Sequence, residues 1–297
     1  MILVINFRDV DEKEWDAFCD KEKASFYHYS SSIKYHECIV DGVENRSFAL
    51  IIDFDIVAVC PVFVSNGETK VFGMNSFFPC TNRDSKVLSF AGKEIARRSS
   101  DVNVFFETMG YFNEEDIDKV FNDRYIKAKF DCYAHSYNKS RKKRKSYRSL
   151  INTTRRETDV NIVDKTSDVS EIEKYFRFHK KVKGNNRSEQ AFSIDEKFVL
   201  SGKQILLMCI KDDDILGAIS IYVDNKRAYY NSAINVEDCS LYPNHLLLDT
   251  AIEYLDGKVD VFELGMICQN DKKNCDISFF KSGFANDIIE KYEIVGK

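Results

Sequence analysis

The order strand, helix, antiparallel meander, helix, strand occurs twice along this chain of 297 residues, once in each half. In the first half, two apolar β-branched runs, SFALIIDF and IVAVCPVFV, predict neighbouring strands, and TKVFGMNSFF predicts a third. In the second half, QILLMCI, ILGAISIYV and RAYYNSAI predict three strands at hairpin spacing. The repetition is one of architecture and not of sequence. It predicts an α/β (α+β) protein of two lobes, each with a mixed, mainly antiparallel sheet flanked by helices.

Helix signals surround both meanders. DSKVLSFAGKEIARRSS begins with an Asp cap, and SDVSEIEKYFRFHKKVKG begins with Ser and Asp and ends at Gly184. PNHLLLDTAIEYLDG has Pro243 in its first turn and Gly257 just past its end. Outer strands are predicted at ILVIN, VNVFFETM, VNIVD, VDVFELG and IIEKYEIV, and a short helix at CDISFFKSGF.

The composition excludes several classes of protein. With 44% hydrophobic and 31% charged residues, the chain is not expected to be disordered. No apolar run approaches the roughly 20 residues that span a bilayer, so we expect no stable membrane insertion. MILVINFRDVDEKEW predicts a first strand rather than a signal peptide. The nine cysteines are scattered without a CxxC pair, which favours reduced thiols in a cytoplasm and no metal site.

Positive charge is concentrated between the two halves of an otherwise acidic chain. Residues 139–156 contain nine Lys or Arg and no acid, whereas the whole chain has a net charge of −5, so the remainder carries −14. NKSRKKRK has no apolar residue and predicts a connector, and SYRSLINTTRR predicts a helix that carries Arg148, Arg155 and Arg156. The predicted boundaries are an N-terminal lobe at 1–135, a basic inter-lobe segment at 136–157 and a C-terminal lobe at 158–297.

So many cations in one segment imply an anionic partner, because like charges repel unless a counter-charge is near. The phosphates of a tRNA acceptor stem are one such partner, and their binding would depend steeply on salt. The other is a phosphorylated small molecule, such as a nucleotide-linked amino sugar or coenzyme A. The −14 of the remaining chain argues against a broad nucleic-acid face and favours the compact ligand. A solvated loop and a membrane-surface role are further alternatives, although no amphipathic anchor or lipidation motif accompanies the segment.

Four motifs follow one another in the second half. AYYNSAINVEDCS ends a strand, LYPNHLLLDTAIEYL begins a Leu-rich helix with Pro, VFELG ends a strand with an acid and a glycine, and ISFFKSGF contains Phe-Lys-x-x-Phe. Their order and spacing resemble the FemAB-like branch of the GNAT acyltransferase superfamily. SFYHYSSSIK in the first half and the Arg-rich stretch before the second fit the same layout, so the resemblance covers nearly the whole chain. It implies two GNAT-like lobes.

The sequence departs from this family in two places. Ser31 or Ser32 stands where a Trp is common. VEDCSLYPNH has no glycine, whereas an ordinary GNAT has an Arg/Gln-x-x-Gly-x-Gly/Ala loop that offers backbone N–H groups to the pyrophosphate of coenzyme A. The FemAB-like branch usually lacks this loop, and its best understood members use aminoacyl-tRNA. The donor therefore stays open between acetyl-CoA or another acyl-CoA and aminoacyl-tRNA.

The resemblance implies acyl transfer to an amine without a covalent enzyme intermediate. Lys281 would stabilise negative charge on the donor, Glu263 would accept the proton of the attacking ammonium, and Tyr230 would donate a proton or line the acceptor pocket. A solvated lysine, a turn-capping carboxylate and a packed tyrosine are the structural alternatives. His245 is expected either to contact a phosphate or to pack within the fold. The predicted substrate-binding residues are Phe280, Lys34, Arg148, Arg155, Arg156, Asn244 and His245.

These features together predict an N-acyltransferase. It would move an acyl group from acyl-CoA or aminoacyl-tRNA to an amino group of a cell-envelope or surface-glycan precursor, such as a nucleotide-linked amino sugar. The alternative is a catalytically inert two-lobe binding protein that uses the basic segment for nucleic acid. No G-x-S-x-G elbow, Cys–His signature or glycine-rich nucleotide motif points to another chemistry.

Overall fold

A computed structural model describes residues 1–39, 42–65, 76–77, 79–81, 84–99, 105–107, 114–120, 125–140, 143–184, 187–268 and 272–296. Its contacts divide the chain into two compact units, Met1–Phe130 with Glu290–Lys297, and Asp131–Ile289. Most of the predicted strand TKVFGMNSFF and parts of VNVFFETM lie outside the described residues, as do Arg141 and Lys142 of the basic segment. The three-part division at residues 135 and 157 stays a prediction.

The first unit consists of short strands and four described helices. The strands are β1 (Leu3–Asn6), β2 (Val43–Asn45), β3 (Phe48–Ile52), β4 (Asp55–Cys60), β5 (Phe63–Ser65), β6 (Ser76–Phe77), β7 (Cys80–Thr81) and β8 (Phe105–Glu107). The helices are α1 (Glu12–Lys21), α2 (Ser30–Ile39), α3 (Ser85–Arg98) and α4 (Glu114–Val120). An antiparallel sheet has the order β1-β3-β4-β7, and β2 pairs with β5.

Helices cover both faces of this sheet, and side chains that alternate along its strands pack against one helix or the other. Phe48 and Leu50 of β3 pack with Leu88 of α3, whereas Ala49 packs with Trp15 of α1 on the other face. The sequence IVAVCPVFV forms two strands instead of the one predicted. Pro61 lies between them, and proline has no N–H group for a strand ladder.

The second unit has one main sheet. Its elements are β9 (Tyr125–Ser136, which begins in the first unit), α5 (Lys145–Arg155), β10 (Asp159–Val163), α6 (Val169–Lys183), α7 (Glu189–Leu200), β11 (Gln204–Lys211), β12 (Asp214–Asp224), β13 (Arg227–Asn235), α8 (Pro243–Leu255), β14 (Val261–Met266) and α9 (Lys272–Ser282). The chain ends in β15 (Asp287–Gly296), which pairs with β8. The strand order within this unit is β10-β11-β12-β13-β14-β9, and among these five pairings only that of β13 with β14 is parallel.

Helices cover both faces of this second sheet. Leu207, Ile219 and Phe262 belong to a core cluster that includes residues of α5 and α8. Leu206 and Met208 belong to a second cluster that includes residues of α6 and α7. The chain therefore has the predicted fold class, with mainly antiparallel mixed sheets flanked by helices in two lobes. Among the described helices, none has both the length and the apolar character needed to cross a membrane.

Candidate active site in the C-terminal unit

The parallel strands β13 and β14 are paired over only three residues. Residues 227–229 pair with residues 261–263. Farther along, β13 continues to Asn235 beside β12, while Gly265 and Met266 of β14 pair with β9. The two strands are no longer hydrogen-bonded to each other beyond Tyr229 and Glu263, so the sheet opens between their carboxyl ends.

Each strand has a bulge near the point of divergence. In β13, Tyr230 pairs with Ile221 and Ser232 pairs with Ser220, which leaves Asn231 as an extra, exposed residue. In β14, the register shifts between residues 263 and 265. Such bulges redirect side chains and are frequent beside active sites.

Lys281 lies in the last turn of α9 with its amine directed at the bulge of β14. A Cβ atom placed on Gly265 would lie 2.7 Å from Lys281 Nζ, and Gly265 has φ +99°, a conformation that favours glycine. Within the described part of the chain, the amine has neither an ion-pair partner nor a hydrogen-bond partner. Burial lowers the pKa of Lys281 below its usual range. The side chain is therefore available to a ligand that develops negative charge.

His245, in the first turn of α8, lies among aromatic rings. Its ring centroid is 4.6 Å from that of Tyr147, 4.9 Å from that of Phe280 and 5.8 Å from that of Tyr242. Burial lowers the pKa of His245 to about 4, so the imidazole is neutral near pH 7. His245 therefore supports Phe280 by packing and brings no positive charge to a phosphate.

The amino end of α8 has few N–H groups to offer. Pro243 has none, and the N–H groups of His245 and Leu246 both donate to the Tyr242 carbonyl, at 3.1 and 3.3 Å. The remaining residue of this first turn is Asn244, whose buried side-chain Oδ1 has no hydrogen-bond partner among the described residues. This helix start is poorly equipped to cradle a pyrophosphate.

Glu263 lies where the pairing of β13 and β14 ends. Its carboxylate is 3% exposed and accepts a hydrogen bond of 2.7 Å from Arg227. Its neighbours Phe262 and Leu264 belong to the core cluster that contains α8. Since strand side chains alternate, Glu263 points to the opposite face of the sheet, the face that α6 and α7 cover.

A group of hydroxyls accompanies Tyr230 on β13. The Tyr230 ring packs on Phe262 at a centroid distance of 6.5 Å, and burial raises its pKa above the usual range. The Ser220 and Ser232 hydroxyls lie 2.9 Å apart. The hydroxyl of Tyr175 on α6 is buried beside these two serines. Sequence reasoning did not select these three residues, and only Ser232, a polar residue in the apolar strand YYNSAI, had a signal there.

Several cations of the basic segment bind groups of the same unit. Lys139 forms an ion pair with Asp287 at 2.7 Å. Lys143 and Arg155 both pair with the buried carboxylate of Asp249 on α8, the second at 3.2 Å. The segment is therefore held against α8 and the stretch after α9 where its residues are described, in contrast to the connector predicted for NKSRKKRK.

Three other cations of the segment are exposed and have no ion-pair partner among the described residues. These are Lys145, Arg148 and Arg156. At 100° per residue they fall on one side of α5, and the eleven steps from Lys145 to Arg156 span roughly 16 Å. They form a row of charge, which we call the α5 row.

Comparisons with known proteins found likeness at the level of structure only. No protein-family model matches the chain, and no curated protein matches it in sequence. Among solved structures, FemX aligns over 98% of this chain and 96% of its own, with a TM-score of 0.64 and 12% identity. L-PGS from Bacillus licheniformis aligns over 97% and 92%, with a TM-score of 0.64 and 14% identity. A tandem GNAT protein from the clavulanic acid biosynthesis pathway aligns over 99% and 97%, with a TM-score of 0.51 and 9% identity.

The chain has the FemAB-like, two-lobe GNAT fold. The fold that the sequence motifs suggested is thereby confirmed, and the alignments with FemX and L-PGS extend over both units. The opening between β13 and β14, with Lys281 beside it, lies within the second unit of this FemAB-like fold.

The predicted site residues fall into three groups. Those around the opening are Lys281, Phe280, Tyr230, Asn244 and His245, and Glu263 lies on the other face of the sheet beside them. Of the arginines, Arg148 and Arg156 belong to the α5 row and Arg155 is paired with Asp249. Lys34 is in the first unit, on α2, where its amine pairs with Glu12. No cluster of three or more His, Cys, Asp or Glu suited to a metal ion occurs among the described residues. The catalytic and binding roles of all these residues stay predictions.

Proposed function

We propose that this protein is an N-acyltransferase. It moves an acyl group from an aminoacyl-tRNA or an acyl-CoA to an amino group of a cell-envelope or surface-glycan precursor in the cytoplasm. The observation that supports this most is the Lys281 amine, which faces Gly265 at the opening between β13 and β14 without a partner among the described residues. An unpaired, partly buried amine destabilises a fold, so its presence is better explained by a ligand.

In the proposed reaction, the acceptor nitrogen attacks the acyl carbonyl carbon. A C–N bond forms, the bond from carbon to the donor oxygen or sulfur breaks, and the nitrogen loses a proton. Lys281 stabilises the oxyanion, and its lowered pKa makes proton donation easier than for a lysine in water. Glu263, which Arg227 holds at 2.7 Å on the other face of the sheet, is proposed to receive the proton of the amine through water rather than by direct contact. The Tyr230 hydroxyl, which its raised pKa keeps protonated, lines the acceptor side.

Two features favour aminoacyl-tRNA as the donor. The amino end of α8, where coenzyme A phosphates bind in an ordinary GNAT, has Pro243 and a neutral His245. The α5 row, in contrast, spans roughly 16 Å of helix, a length that suits successive phosphates of a nucleic acid better than one pyrophosphate. The sequence alone favoured a compact phosphorylated ligand. The structure favours a nucleic acid instead. Three cations of the basic segment are paired within the protein, namely Lys139, Lys143 and Arg155, and the α5 row has the spacing of a longer ligand.

The acceptor follows from the resemblance alone. A nucleotide-linked amino sugar, or another phosphorylated precursor with a free amine, is the proposed class. Phe280 is proposed to contact it. Lys34, in the first unit, stays a separate substrate-binding proposal, and a phosphate there would have to compete with the Glu12 carboxylate that already pairs with its amine.

Thermal unfolding with added ligands tests the donor. Deacylated tRNA, acetyl-CoA and free coenzyme A would each be added at low and at moderate salt. A ligand at about 100 times its Kd adds roughly 2.7 kcal/mol to the free energy of unfolding. We expect tRNA to stabilise the protein more at low salt than at moderate salt. In Arg148→Ala, the slope of log K for tRNA binding against log salt concentration should be smaller by about one. Stabilisation by acetyl-CoA and coenzyme A alone would contradict the tRNA assignment and leave an acetyltransferase.

The second candidate is a nucleic-acid-binding protein without catalysis. The α5 row supports it equally, because phosphate contacts need no active site. Incubation of charged tRNA with candidate amine acceptors, followed by mass spectrometry of the acceptor, separates the two. Binding of tRNA without any transfer favours the binding protein.

A further inference from the structure

Arg144, one of the nine cations of the basic segment, is bound to the end of α9 that carries Lys281. Its backbone N–H donates to the Gly283 carbonyl at 2.9 Å, and its Nη2 donates to the Ser282 hydroxyl at 2.8 Å. The guanidinium lies 3.7 Å from the centroid of the Phe279 ring. These contacts reach residues on both sides of Lys281.

Tyr147, one turn farther along, completes the attachment. Its hydroxyl donates to the carbonyl groups of Phe279 and Phe280, at 3.2 and 3.4 Å, and accepts from Arg144 Nη1 at 3.3 Å. The Phe279 carbonyl also accepts from the Ser282 hydroxyl at 2.7 Å, and the Phe280 carbonyl from the Gly283 N–H at 3.2 Å, so the Tyr147 hydroxyl adds a second donor to these last-turn carbonyls. A Cβ atom on Gly283 would lie 2.1 Å from Tyr147 Cε2, so only glycine lets the ring approach this closely.

The other side of α9 is attached to the chain that follows β14. The Ser278 hydroxyl donates to the Cys268 carbonyl and accepts from the Cys268 N–H, both at 2.9 Å. Lys281 lies between these two attachments, and its amine reaches back to Gly265. The positive charge of Arg144 lies near the carboxyl end of α9, where it stabilises the negative end of the helix dipole.

We infer that Arg144 is a positioning residue, which together with Tyr147 holds the last turn of α9 so that the Lys281 amine stays against Gly265. The role of Lys281 in catalysis rests on the proposed function; its placement by Arg144 does not. Part of the basic segment therefore serves the active site from within the protein. Phe279 covers one face of the guanidinium, and Tyr147 and Ser282 each accept one N–H from its two terminal nitrogens, so these contacts engage Arg144 within the protein.

The first test measures the pKa of Lys281 without any enzymatic activity. The pH dependence of its acetylation by acetic anhydride, followed by mass spectrometry, is compared in wild type, Arg144→Lys and Arg144→Ala. Lys211→Ala is the control, because it removes a partly exposed lysine that pairs with Glu157 elsewhere in the unit. Circular dichroism and thermal unfolding check that each variant is folded.

We expect the pKa of Lys281 to rise toward its usual range in both Arg144 variants, since a loosened turn lets water reach the amine. Arg144→Lys decides the matter, because it keeps the positive charge and the backbone hydrogen bond to Gly283 but loses the hydrogen bonds and the ring contact of the guanidinium. A wild-type profile in Arg144→Lys would overturn the inference, since only the charge of Arg144 would then matter. If Arg144→Ala does not fold, Tyr147→Phe, which lacks only the hydroxyl, replaces it with the same expected rise.

The second test uses transfer kinetics. We expect Arg144→Lys to lower kcat roughly 10- to 100-fold with little change in KM, because misplacing a catalytic group by about 1 Å costs that much. A raised KM with unchanged kcat would overturn the inference and make Arg144 a ligand-binding residue. If wild type transfers no acyl group to any acceptor, the proposed function fails, and the acetylation profile still decides whether Arg144 positions Lys281.

Discussion

The amine of Lys281 lies 2.7 Å from the point that a Cβ atom of residue 265 would occupy, so Gly265 and Lys281 depend on each other. The pair joins a bulge in β14 to the last turn of α9. The bulge at Gly265, with φ +99°, has two consequences: it shifts the register of the pairing with β9, and it leaves the space that the amine fills.

Replacing Gly265 by Ala should lower the rate of acyl transfer strongly and the free energy of unfolding only moderately. The positive φ costs about 1–3 kcal/mol with any other residue, and the new methyl displaces the amine. Gly257→Ala is the matched control, because Gly257 has φ +72° and nothing within 4 Å of its Cβ position. Urea unfolding should give similar losses of stability for both variants, and only Gly265→Ala should lose activity. Equal activities would contradict the assignment of Lys281.

Replacing Lys281 by Met should abolish transfer without weakening the fold. Methionine has a similar length and no charge, so the cost of holding an unpaired amine away from water disappears. We expect kcat to fall roughly 100- to 1000-fold, the loss typical of removing one oxyanion-stabilising group. The free energy of unfolding should stay equal or rise. Retained transfer in Lys281→Met would remove Lys281 from the catalytic residues.

Much of the architecture could be predicted from local sequence signals. Asp84 caps α3 through its carboxylate, Pro243 begins α8, and Gly184 ends α6 with φ +68°, as their sequence positions indicated. Two of the elements that were not predicted have clear signals. The helix α7 has a Ser188 cap and the buried pair Ala191 and Phe192, and β9 alternates apolar and charged residues from Ile126 to Cys132.

The site was less predictable because it depends on contacts between distant residues. Nothing in ELG states that Gly265 faces Lys281, sixteen residues later, nor that the pairing of β13 with β14 ends after three residues. The net charge of the basic segment suggested one ligand site. Only the fold reveals that Arg155 pairs with a carboxylate on another helix while Arg148 remains exposed.

Asp249 should be more important for stability than either of its cationic partners. Its side chain is 1% exposed and pairs with Lys143 and Arg155. Asp249→Ala removes the buried carboxylate and leaves both cations without it. We expect this to cost about 3–5 kcal/mol of the free energy of unfolding. Arg155→Ala should cost less than about 1 kcal/mol, because that side chain is half exposed. Urea unfolding of the two variants measures the difference. A large loss of substrate affinity in Arg155→Ala, with stability unchanged, would instead support the binding role predicted from the sequence.

The free energy of unfolding should fall as the pH decreases from about 7 to 4. Burial lowers the pKa of both His179 and His245 to about 4, below the value of about 6.5 that histidine has in an unfolded chain. Between these values the unfolded chain binds more protons than the native one, so acid favours unfolding. The stabilisation by neutral imidazoles is therefore complete above about pH 6.5 and is lost as the pH falls through about 4. Urea titrations at several pH values measure the slope, and His179→Phe should flatten it because a phenyl ring cannot take up a proton. An unchanged slope in that variant would place the acid sensitivity in other groups.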